Sequence, residues 1–135
     1  MIVLQKKQME DIVKFAKDNL PNEVCGLISG IKNGQKSIVE KIYFLTNMDH
    51  SSEHFSMNIK EQFDAIRDMR QFGYILLGNF HSHPSSPARP SDEDKRLAFD
   101  AALSYLILSL ADKKPILKSF KIENKISSEE LITIL

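Results

Sequence analysis

The segment YILLGNFHSHP, residues 74–84, constrains this chain more than any other. An apolar run bounded by proline reads as a buried strand, and side chains two apart on a strand project from the same face. His81 and His83 therefore aim their imidazoles at a common point, while Ser82 faces the opposite way. Pro84 biases His83 toward extended backbone and ends the hydrogen-bonded ladder, so the pair sits at a strand end, where a pocket can open. Pro87 and Pro90 stiffen the connection that follows, and the acidic run SDED, Ser91 to Asp94, opens what reads as a helix.

The rest of the chain sets that strand in a mixed α/β frame, helices packed on a central sheet. Residues 5–20 carry Met9, Ile12, Val13, Ala16 and Leu20 at helical spacing ahead of Pro21. Residues 23–30 are β-rich, and an Asn33-Gly34 turn leads into residues 36–46, so the two runs predict a hairpin. Residues 47–58 are polar and irregular, a loop or an edge segment. Residues 58–73 predict a second helix with Ile59, Phe63, Ile66 and Met69 on one face and Gly73 at its end. A short helix over 91–102 and strands over 104–111 and 116–124 follow; the tail 126–135 leans toward strand. With no repeat or linker, residues 1–135 are expected to form a single domain large enough to bury a core.

Two imidazoles and a nearby carboxylate make an N,N,O ligand set. A catalytic zinc takes three such ligands and keeps a fourth position for water, whereas magnesium or calcium takes more oxygens. Cys25 is the sole cysteine, so neither a thiolate-closed zinc site nor an intrachain disulfide is available, and a reducing, cytoplasmic setting is expected. Lys plus Arg equals Asp plus Glu, 18 against 18, which removes the electrostatic reason to expect nucleic acid or an anionic membrane as partner. Ser91-x-x-Asp94 also reads as a capping box, with acidic residues suiting the helix dipole. His50 and His54, four apart in a polar loop, lack a further ligand at fitting spacing and read as surface residues. Cys25 shares a strand face with Glu23 and reads as a buried, inert thiol. A zinc-bound water with a pKa of about 7 still needs a proton acceptor. Glu23 stands out because it leads directly into an apolar strand, yet neither composition nor periodicity brings it to the histidines.

Glu23, then HSHP over residues 81–84, then Ser91 and Asp94 together resemble the JAMM (MPN+) zinc metallopeptidase signature, of the compact prokaryotic type. Four separated elements match in order, with six residues between Pro84 and Ser91. The resemblance implies a cytidine-deaminase-like α/β three-layer sandwich with a mixed central sheet. It implies one Zn2+ per chain held by His81, His83 and Asp94, with Glu23 as general base and Ser91 at the scissile carbonyl. It further implies hydrolysis of the peptide or isopeptide bond after the Gly-Gly tail of a ubiquitin-like or sulfur-carrier protein. An extended tail would pair with a sheet edge, and residues 47–57 would line its groove. The rival reading is a non-catalytic MPN scaffold, which has no physical need for all four polar residues. A deaminase is disfavoured because HSHP lacks the glutamate of His-x-Glu and no Pro-Cys-x-x-Cys follows. A multi-metal phosphoesterase needs more ligands than His50 and His54 provide.

Overall fold

The hairpin predicted at Asn33-Gly34 lies at the heart of the sheet. In the computed structural model, which describes residues 1–135, β2 (Cys25–Asn33) and β3 (Lys36–Leu45) pair antiparallel with Asn33 opposite Lys36. Gly34 turns the corner at φ 62°, where a residue bearing a Cβ is strained. Around this pair run β1 (Ile2–Leu4), α1 (Lys6–Asp18), α2 (Ile59–Gln71), β4 (Ile75–His83), α3 (Asp92–Arg96), β5 (Ser104–Ser109), β6 (Ile116–Glu123), β7 (Ile126–Glu130) and β8 (Ile132–Ile134). The strands form one mixed sheet in the order β7-β6-β5-β4-β2-β3-β1-β8.

That order has a consequence for shape. β7 and β8 are separated in the chain only by Leu131, yet they occupy opposite margins of the sheet. The sheet therefore curls until one tail segment closes both margins, β7 on β6 and β8 on β1, with the Ile2 amide donating to the Leu131 carbonyl at 2.9 Å. The tail thus satisfies edge backbone groups that would otherwise stay open to other strands. Strand β1 is too short for its pattern to show in the sequence.

The two faces of the sheet hold different cores. On one, Ile12 and Ala16 of α1 pack on Ile28, Phe80, Leu106 and Leu108. On the other, Ala65 of α2 covers Cys25, Leu27 and Leu45, and a separate cluster joins Ala88 to Tyr105, Ile107, Phe120 and Ile122. Helices on both faces give the three layers expected. α2 departs in part from its predicted face: Met69 is buried and Ile66 half-buried as expected, but Ile59 and Phe63 are 69% and 66% exposed, and Ala65 is buried instead. The helix approaches the sheet through a small residue, which a search for large apolar side chains overlooks. α3 is likewise shorter than residues 91–102. The Tyr105 hydroxyl donates to the Asp100 carbonyl at 2.8 Å and Asp100 Oδ1 accepts from the Ala102 amide, which draws the chain into a turn.

Candidate metal centre

β4 runs between β2 and β5, with His81 opposite Cys25 on one side and Ile107 on the other. Cys25 belongs to the cluster beneath α2 and Ile107 to its neighbour. The histidine face of β4 therefore lies in the gap between two apolar clusters, and His81 and His83 are 3% and 6% exposed there.

Three side chains converge in the gap. His81 Nε2 and His83 Nε2 lie 3.1 Å apart, and Asp94 Oδ2 lies 3.1 Å from the first and 3.3 Å from the second. The triangle passes a simple test for zinc. Bonds of about 2.0–2.1 Å in a tetrahedron hold ligand atoms about 3.3 Å apart, close to all three edges. His83 Nδ1 lies 2.8 Å from the Pro87 carbonyl, which can only accept, so Nδ1 carries a hydrogen and a neutral ring turns its Nε2 lone pair inward. Pro87 thus orients the ring as well as stiffening the chain. His81 is steadied differently: Phe55 stacks on it at 4.6 Å, and its buried Nδ1 has no hydrogen-bond partner in the protein.

In Asp94 the helix cap and the approach to both imidazoles are one arrangement. Ser91 is the N-cap of α3, its Oγ accepting from the Asp94 amide at 3.0 Å. In return Asp94 Oδ2 accepts from the Ser91 amide at 2.9 Å, and the same oxygen faces both imidazoles. Burial pushes the Asp94 carboxyl up, but hydrogen bonds from His81, His83 and the Ser91 amide outweigh it and hold the pKa well below the carboxylate range. Burial also works against protonated His83, yet its bonds to Asp94 and Pro87 leave that pKa raised.

Glu23 stands two residues before the first residue of β2 and is 6% exposed. Burial drives its pKa up to about 7; His83 opposes the rise and Asp94 reinforces it, placing the carboxylate in the field of those two side chains. The two carboxylates, Glu23 and Asp94, are thus pushed in opposite directions by their surroundings. The backbone of Glu23 is clamped on both sides. Its amide donates to the Ser51 carbonyl at 2.7 Å, and its carbonyl accepts from Asn47 Nδ2 at 3.0 Å. Buried Asn47 also donates to His54 and accepts from the Asp49 and Ser56 amides, pinning the loop that carries Phe55. Ser82, on the far face of β4, accepts from the Val24 amide at 2.9 Å and so fixes the register beside Glu23. The sequence places Ser82 on the face opposite the histidines and Asn47 at the start of the segment expected to line the groove, but points to no supporting role for either. Their signal is a polar side chain of good hydrogen-bonding capacity flanked by chemistry-bearing positions.

The remaining expectations resolve simply. Burial lifts the Cys25 thiol to about 12, so it stays protonated, and it is absent from the ligand cluster. His54 contacts Glu93 at 3.0 Å on the surface, and neither it nor His50 joins a metal-ligating group. Residues 55–57 do line a cavity that includes His81. No helix is long and apolar enough to cross a membrane.

A mixed, curled sheet that presents two histidines and a carboxylate beside a buried glutamate defines a JAB/MPN-type domain. The family model describing prokaryotic homologs of the JAB domain matches residues 5–123, and the chain belongs to that family. A solution structure of a Desulfitobacterium hafniense protein superposes with a TM-score of 0.92 at 55% identity, covering 100% of this chain and 93% of that one. The CysO-cysteine peptidase of Mycobacterium tuberculosis is 24% identical over 136 residues, 100% of this chain and 92% of that protein. The desampylase of Pyrococcus furiosus is 35% identical over 72 residues, 53% of this chain and 49% of that protein.

Proposed function

We propose that this chain is a zinc-dependent peptidase or isopeptidase that hydrolyses the bond following the Gly-Gly C-terminus of a ubiquitin-like or sulfur-carrier protein. The observation that carries the reading is the near-equilateral triangle of His81, His83 and Asp94, with Glu23 buried in its field. The relatives named a CysO-cysteine peptidase and a desampylase support the substrate class. His81, His83 and Asp94 would hold the ion. When bound, zinc supplies Lewis acidity toward the scissile carbonyl and toward water.

The chain's own residues do the rest. Glu23, as the carboxylate, takes the proton of the attacking water and delivers it to the departing amine. Its clamped backbone keeps the carboxylate from swinging away as it changes charge. The Ser91 hydroxyl uses a lone pair to accept from the Asp94 amide, so its own hydrogen is available to the carbonyl oxygen as charge develops there. Phe55, stacked on His81, restrains that ring and keeps solvent from one side of it.

The direct test incubates the zinc-loaded chain with Gly-Gly-tailed carrier proteins extended at their C-termini and follows intact mass. Release of the extension after the second glycine is expected, and its absence across the organism's full set of such carriers would refute the assignment. Ser91→Ala is expected to slow the folded, zinc-loaded enzyme by ~10²-fold. Chemical denaturation should show a loss of only about 1 kcal/mol from the missing cap. A stability loss with an unchanged rate would reduce Ser91 to a cap.

A further inference from the structure

The two imidazoles of the centre are held by different means. His83 has an outer hydrogen bond, its Nδ1 lying 2.8 Å from the Pro87 carbonyl. His81 has none: its Nδ1 is buried and without a partner in the protein. The neighbouring strands place Cys25 and Ile107 opposite it, and neither side chain carries an oxygen to accept that hydrogen. Metal-binding histidines ordinarily donate their outer N–H to a carboxylate, a carbonyl or water, which fixes the ring. What His81 has in that place is the flat face of Phe55, with centroids 4.6 Å apart and planes inclined by 24°. Phe55 comes from the segment between β3 and α2, and that segment is tied down as a unit. The Asn47 side chain makes four hydrogen bonds, donating to the Glu23 and His54 carbonyls and accepting from the Asp49 and Ser56 amides. The Met48 amide donates to the Ser56 carbonyl at 2.8 Å, and Glu61 of α2 holds the start of the segment through the Thr46 amide and hydroxyl. Phe55 itself packs against the cluster of Cys25, Leu27, Leu45 and Ala65.

We propose that Phe55 is a positioning residue for His81, standing in for the missing outer hydrogen bond, and that zinc affinity and the order of residues 47–57 are coupled through it. The inference rests on the reading of the centre as a zinc site and names the chain's own means of tuning it. A stacked face fixes the plane of the imidazole, so Nε2 is held toward His83 and Asp94 before the ion arrives. Without that face the ring is free to tilt, and the ion must then bear the cost of stopping it. Coupling of this kind acts in both directions. Zinc that immobilises His81 gives Phe55 a rigid partner and so settles the segment. A segment loosened at Asn47 releases Phe55 and weakens zinc, although the four hydrogen bonds of Asn47 go to none of the three ligands. Asn47 also holds the Glu23 backbone, so one amide side chain links the general base to the support of the metal.

The test measures zinc affinity of the full chain by competition with a chromophoric chelator, with no substrate present, so its outcome is independent of hydrolysis. Phe55→Ala is expected to weaken zinc binding by ~10–100-fold. Phe55→Leu, which keeps apolar bulk but loses the flat face, should weaken it as well, and Phe55→Tyr should keep wild-type affinity. Leu76 packs against the same cluster as Phe55. Leu76→Ala therefore reports what lost packing alone does, and it should lose stability with zinc affinity unchanged. Hydrogen exchange gives the reciprocal measure. The Met48 and Ser56 amides should exchange more slowly once the wild-type chain is zinc-loaded, and Phe55→Leu should abolish that protection. Wild-type affinity in Phe55→Leu, or an equal loss in Leu76→Ala, overturns the positioning role and leaves the hydrolase reading standing. Zinc binding weakened as described, with no hydrolysis of any Gly-Gly-tailed carrier, supports the coupling and overturns the hydrolase reading. A wild-type chain that takes up no zinc overturns both.

Discussion

Glu23→Gln is expected to retain about one zinc per chain, a full complement for a three-ligand site, and to lower hydrolysis of a Gly-Gly-tailed substrate by ~10²–10⁴-fold. The substitution keeps the size of the side chain and removes only its capacity to carry a proton. None of the three converging atoms belongs to Glu23, so metal content should not move. Stability should move, and in the opposite direction to activity. The carboxyl has a folded pKa of about 7 against an ordinary 4.5. Between those values the folded state holds a proton that the unfolded state has released, so stability of the metal-free protein falls as pH rises from 4.5 toward 7 and stays low above it. The full shift corresponds to about 3 kcal/mol. Gln carries no such penalty. The metal-free variant should therefore be the more stable protein at pH 8, by up to about 3 kcal/mol, with the difference vanishing near pH 4. Denaturation curves at the two pH values, set beside turnover of the zinc-loaded forms, check both halves. A buried carboxylate that weakens the fold and yet supports turnover is the expected trade at a catalytic site, whereas a scaffold gains nothing from it. Wild-type turnover by the variant would remove Glu23 from the chemistry.

What the sequence disclosed about this site, and what it hid, follows from the range of each signal. The alternation of a strand is local, so the shared face of His81 and His83 could be read from two residues and a proline. The proximity of Glu23 could not. It depends on β2 lying antiparallel beside β4 with Cys25 opposite His81, a pairing between residues far apart in the chain, and it entered the sequence reading only through the family resemblance. The curl that lets the tail close both margins of the sheet is equally non-local. Ile59 and Phe63 mislead for another reason: periodicity identifies a helical stripe but not whether large or small residues face the sheet, and here Ala65 does. The Pro87 carbonyl illustrates the limit most sharply. The sequence shows a ring that stiffens a loop, and only the folded backbone reveals the acceptor that sets the tautomer of His83.

His81→Ala and Asp94→Ala are each expected to abolish stoichiometric zinc binding, with metal content after dialysis falling from about one per chain toward zero and hydrolysis falling with it. The two variants should differ in what else they disturb. His81→Ala removes the ring beneath Phe55 and opens a cavity between the two apolar clusters, so the cost lies in packing. Asp94→Ala also removes the acceptor for the Ser91 amide, so α3 loses one arm of its capping box, worth about 1 kcal/mol. Asp94→Asn separates the two duties. Its amide oxygen can still accept from the Ser91 amide, keeping the cap, but it brings no negative charge to the imidazoles. Zinc affinity should fall steeply, and the metal-free protein should lose at neutral pH the stability that the carboxylate's bonds to the imidazoles supply, while the cap itself is kept. The raised pKa of His83 adds a further signature. In the metal-free protein the bonds to Asp94 and Pro87 favour the protonated ring, so zinc uptake competes with a proton at His83, and calorimetry in buffers of different ionisation enthalpy should register a proton release that grows as pH is lowered. Full zinc occupancy in Asp94→Asn, with no proton released, would mean that the ion sits elsewhere and that the triangle of His81, His83 and Asp94 serves only to fasten α3 to the sheet.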